Sequence, residues 1–78
     1  MKIKPEDYDT LESAINGIPD LTAHRDSYRE QGFSDKRFRW DALHYCQMHK
    51  LVDVNALYKY LDDSHIDTAL RHILGDRD

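Results

Sequence analysis

The sequence predicts an all-α fold, a single compact bundle of four to five short helices over residues 1–78. Two observations carry that expectation. Apolar residues recur three and four positions apart in successive segments, and most segments are bracketed by a capping residue in front and a glycine or proline behind. No stretch alternates apolar and polar residues over a useful length, so strands are not expected.

Taken in order, Pro5 suits the first position of a first helix, with Glu6, Asp7 and Asp9 at the positive end of its macrodipole. Gly17 and Pro19 end it, and Tyr8, Leu11, Ile15 and Ile18 form its buried stripe. A second, more polar helix starts at Pro19 or Asp20, runs through roughly Gln31 and stops at Gly32, with Leu21, Ala23 and Tyr28 as its apolar residues. Ser34 caps a third helix from about Asp35 to His49, and Phe33 and Phe38 occupy the positions of a hydrophobic staple. Its wheel is two-sided: Phe38, Ala42, Tyr45, Cys46 and His49 share one face, and Trp40, Leu43, Gln47 and Leu51 lie roughly opposite. Such a helix is either central or half given to a partner. Asp53 caps a short fourth helix, with Val52 and Leu57 as a second staple and Val54, Leu57, Tyr58 and Leu61 facing inward. Ser64 and Asp67 resemble a capping box for a fifth helix that ends at Gly75. Ile66, Ala69, Leu70, Ile73 and Leu74 fill its stripe at i, i+3, i+4, i+7 and i+8, and residues 76–78 are expected to fray.

Composition bounds the function. No apolar run approaches the roughly 20 residues that cross a bilayer, and no apolar segment follows the amino-terminal charges, so neither membrane insertion nor secretion is expected. A lone cysteine, Cys46, fits a reducing compartment, and the expected location is the cytoplasm. A core this small rarely supplies more than about 3–5 kcal/mol, which makes a homo-oligomer conceivable. The net charge of −4 is unevenly distributed: residues 1–20 hold two lysines against five acids, whereas Arg25, Arg29, Lys36, Arg37 and Arg39 make the middle of the chain basic.

Five histidines and Cys46 raise the question of zinc, but only Cys46 and His49 have one-helix ligand spacing and neither a CxxC nor an HExxH motif frames them, so no metal and no cofactor are expected. Asp62, Asp63, Ser64 and His65 sit where helix caps belong, and the isolated glycines cradle no phosphate; no catalytic residues are assigned and the chain is not expected to be an enzyme. Gly32-Phe33-Ser34 between two helices resembles the turn of a helix-turn-helix, which would make Arg25, Arg29, Lys36, Arg37 and Arg39 phosphate and base contacts. Tyr28, where that motif wants a small residue, and Asp41, where it wants an apolar one, argue against it. Trp40, flanked by Arg37, Arg39, Leu43 and His44, instead has the composition of a protein-binding hot spot, although Trp40 could equally be core.

The blocks Arg37-Phe38-Arg39-Trp40-Asp41-Ala42-Leu43 and Leu57 to Arg71, with the opening Lys2-Ile3-Lys4-Pro5, are similar to short helical proteins of bacteriophages and prophages to which no function is assigned. The resemblance implies a helical fold and a bacterial or viral source, and brings no catalytic residue with it. Small phage proteins often block or redirect a host machine. The leading expectation is therefore a non-enzymatic interaction protein that binds or modulates a host or phage protein complex through Trp40, Arg37, Arg39, Leu43 and His44. A DNA-binding regulator is the alternative.

Overall fold

A computed structural model describes residues 3–75; the fraying expected of residues 76–78 lies outside that range. Among the described residues there are five helices and no strand: α1 (Pro5–Asn16), α2 (Leu21–Glu30), α3 (Asp35–Met48), α4 (Val54–Tyr58) and α5 (Asp63–Leu74). The third helix is the hub, packing against α1, α2 and α5, while α1 and α5 also touch each other. Of the second face of its wheel, Leu43 is buried, Trp40 is half-buried, and Gln47 and Leu51 are exposed. Leu43 lies with Phe38, Ala42 and Cys46 in one core that also takes Leu11 and Ile15 of α1, Leu57 of α4, and Ile66, Ala69 and Leu70 of α5. The helical extents agree closely with the spacing of apolar residues, although α2 has no buried residue: Leu21 and Tyr28 are half-buried and Ala23 is exposed.

Helix ends show how local chemistry positions these elements. Ser34 accepts the Arg37 amide at 3.1 Å and Asp53 accepts that of Ala56 at 3.2 Å, as side-chain caps do. At the end of α2, Gly32 has φ +85°; Phe33 N–H donates to Tyr28 O and Gly32 N–H to Arg29 O, the paired bonds of a Schellman motif. The accompanying apolar contact is aromatic, with the Tyr28 and Phe33 rings 5.6 Å apart. Tyr28 also meets Phe38 edge-on at 5.1 Å, so it stands between the two residues of the staple. The same motif ends α3 on a non-glycine: Lys50 has φ +58°, Leu51 N–H donates to Cys46 O at 2.8 Å and Lys50 N–H to Gln47 O at 3.1 Å.

Gly17 ends α1 as its C-cap, with φ −78°, and the left-handed residue between α1 and α2 is Asp20 at φ +55°, whose side chain caps nothing. Two local expectations are corrected. The cap of α5 is Asp62, not Ser64: Asp62 Oδ1 accepts the His65 amide at 3.1 Å, and His65 Nδ1 accepts the Asp62 amide at 3.3 Å. Ser64 supports it by donating its hydroxyl to Asp62 Oδ1 at 2.7 Å, and that bond above all holds the Asp62 carboxyl below its ordinary pKa. The second concerns Tyr58, placed in the inner stripe of α4; it is exposed and donates its hydroxyl to Asp63 at 2.7 Å.

Candidate functional site

Turning about 100° per residue, α3 sends Asp35, Arg39, Ala42, Leu43 and Cys46 inward and leaves Lys36, Arg37, His44, Gln47 and Met48 exposed. This division separates the residues expected to bind a partner. Arg37 and His44 are exposed, Trp40 is half-buried and packs against the edge of the core, and Arg39 and Leu43 are inside the protein. Arg39 and Leu43 are therefore corrected from contact residues to core residues. Arg39 has no exposed surface; its Nε donates to Asp67 Oδ1 at 3.3 Å and its Nη1 to the Gly75 carbonyl at 3.4 Å. A guanidinium can be buried there because a carboxylate and the negative end of α5 both receive it.

Two more members of the basic stretch are committed to the fold. Arg29 forms a fork with buried Asp35, Nε to Oδ1 at 2.9 Å and Nη2 to Oδ2 at 2.7 Å. Arg25, half-buried, donates Nη1 to the Leu74 carbonyl at 3.4 Å, so α2 and α3 each send an arginine to the last carbonyls of α5. Of the five cations expected to meet nucleic acid, Lys36 and Arg37 are the two that lie exposed. Arg37 is 3.7 Å from Asp41 Oδ2 and its guanidinium sits 4.8 Å from the Phe33 ring centroid.

Periodicity did not single out Met48. Among the described residues it is the most exposed large hydrophobic one, at 67%, and it continues the outward stripe one turn beyond His44 and two beyond Trp40. The signal was present as an i, i+4, i+8 series, Trp40-His44-Met48, opposite the core stripe. Cys46 and His49 do not form a joint site: the thiol lies in the core, where burial pushes its pKa up, while exposed His49 stacks on Tyr45 with centroids 4.0 Å apart. Among the described residues no three His, Cys, Asp or Glu side chains converge, and no helix is long and apolar enough to cross a membrane.

Beside this face, α2 and α3 leave between them a cleft of about 320 Å³ walled by Ile18, Leu21, Phe38 and Ala42, with Tyr28, Tyr45, His24 and Asp41 around it. Tyr28 donates its hydroxyl to Asp41 Oδ2 at 2.7 Å, and that bond raises the phenol's pKa above its ordinary value. Comparison of the chain with protein-family models, with curated proteins and with solved structures finds no match.

Proposed function

We propose that the chain is a non-enzymatic helical interaction protein, of phage or prophage origin, whose contact surface is the outward face of α3: Arg37, the exposed edge of Trp40, His44 and Met48. The observation that carries this reading is the exposure of Met48 in line with a tryptophan and an arginine, on a helix whose opposite face is fully used by the core. A flexible thioether beside an aromatic edge is the composition of surfaces that adapt to a protein partner. In the resembling phage proteins such a surface would serve to bind or redirect a host or phage complex.

Capture from a bacterial lysate, with Arg37→Glu and Met48→Glu as controls, tests this. Both side chains are exposed, so helicity and urea midpoint are expected to hold while the captured partner is lost. Retention of the same partner by both variants overturns the reading. Trp40→Ala is a poorer probe because Trp40 also packs on the core, and its loss would weaken fold and contact together.

One observation favours the second reading, a DNA-binding regulator: α2, a turn through left-handed Gly32 and α3 are arranged in series, with Lys36 and Arg37 at the exposed start of α3. With Arg39 buried and Arg29 paired, such binding would rest on few phosphate contacts. It predicts a shallow salt dependence, measured by fluorescence anisotropy on mixed duplex, whereas a protein-binding surface predicts no duplex affinity at low salt.

A further inference from the structure

We infer that the cleft between α2 and α3 is a receptor for a single lysine side chain of a partner polypeptide. The floor and walls are apolar, from Ile18, Leu21, Phe38 and Ala42, and Tyr28 and Tyr45 flank them with aromatic rings. At about 320 Å³ the space stands at the small end of ligand pockets, sized for a side chain rather than a cofactor. The one carboxylate lining it, Asp41, is half engaged: the Tyr28 hydroxyl at 2.7 Å and Arg37 at 3.7 Å both approach Oδ2, and Oδ1 has no hydrogen bond among the described residues.

An apolar cleft with a single carboxylate in its lining matches an aliphatic stem carrying a cationic donor. Arginine would seek both oxygens in a fork, and Tyr28 already occupies one. An ammonium is a point charge that needs only one free oxygen. Arg37 works against the same site, as a competing cation near Asp41, and this opposition makes the inference testable apart from the function proposed above.

The probe is n-hexylammonium, titrated into the intact 78-residue chain and followed by amide chemical shifts, with n-hexanol as the uncharged control of similar shape. Shifts confined to residues around the cleft are expected, with hexylammonium binding about threefold to fivefold tighter than hexanol, the worth of one exposed ion pair. Asp41→Asn keeps an oxygen for the Tyr28 hydroxyl and should erase that preference. Arg37→Ala should increase hexylammonium affinity, although Arg37 serves the outward surface of α3. Equal binding of hexanol and hexylammonium, shifts centred elsewhere, or an unchanged preference in Asp41→Asn would each overturn the inference.

Discussion

Arg39 and Asp67 join α3 to α5 through a guanidinium with no solvent exposure and a carboxylate about one-fifth exposed, 3.3 Å apart. Asp67 is shared: its Oδ2 is 3.1 Å from Arg71 Nε, one turn along α5. The cation is thus held by a partner that stays paired when Arg39 is removed.

Arg39→Ala is expected to destabilise the protein by about 3 kcal/mol, the low end for breaking a buried pair, because Asp67 keeps Arg71. In a domain of this size that approaches the whole stability, and a urea titration should show a large unfolded fraction already in water. Arg39→Met retains the apolar stem and removes the charge, so it should cost only about 1 kcal/mol. A smaller loss for alanine than for methionine would contradict the assigned role.

Lys50→Gly is expected to stabilise the fold by about 1 kcal/mol, since the residue lies at φ +58° in the turn that ends α3 and glycine enters that region without a Cβ penalty. Gly32→Ala, at φ +85° with open space around the position, should do the reverse by a similar amount through backbone strain alone. Thermal melts of the two variants should move in opposite directions.

Tyr58 and Tyr60 should titrate well above ordinary phenols. Burial and the bond to Asp63 push Tyr58 up to about 12, and the bond to Asp7 pushes Tyr60 up to about 12. A raised folded-state value means that the native form holds its proton longer than the unfolded chain. The associated stability is complete below pH 10 and is lost as pH rises through 12. Absorbance at the phenolate band should show late ionisation from Tyr58 and Tyr60, beside the upward-shifted Tyr28, with a late step lost in each of Tyr58→Phe and Tyr60→Phe.

Asp62 gives the opposite pH dependence. Its pKa is lowered from 3.8, first by the Ser64 hydroxyl and then by the His65 amide, so its contribution to the α5 cap is present above that pH and is lost as pH falls through the depressed folded value. Ser64→Ala should raise the Asp62 titration toward the ordinary value in a carboxyl NMR experiment, and the onset of fraying at the start of α5 should move to higher pH with it.

How far a residue could be read from sequence depended on whether its signal was local. Ser34 and Asp53 were legible as caps because the side chain bonds an amide two or three residues away. The α5 cap was misassigned because a histidine closes the box where glutamate or glutamine is usual. Gly32 announced a turn that Lys50 also makes without the glycine that marks it. At the candidate surface, Arg37 and His44 are exposed, and Met48 was overlooked because an exposed apolar residue differs from a buried one only by what faces it.

Sequence by itself determined that this chain is a bundle of short helices, since the 3.6-residue recurrence of apolar side chains and the bonds that end each helix act within a few residues of one another. Tertiary structure alone decided which side of α3 is the interior. Asp35 and Arg39 lie on the same arc as Ala42 and Cys46, but a charged pair of positions becomes core only when Arg29 and Asp67 arrive from other helices to receive it. Long-range ion pairing of that kind leaves no period in the sequence, and it moved Arg39 from the surface to the center of the fold.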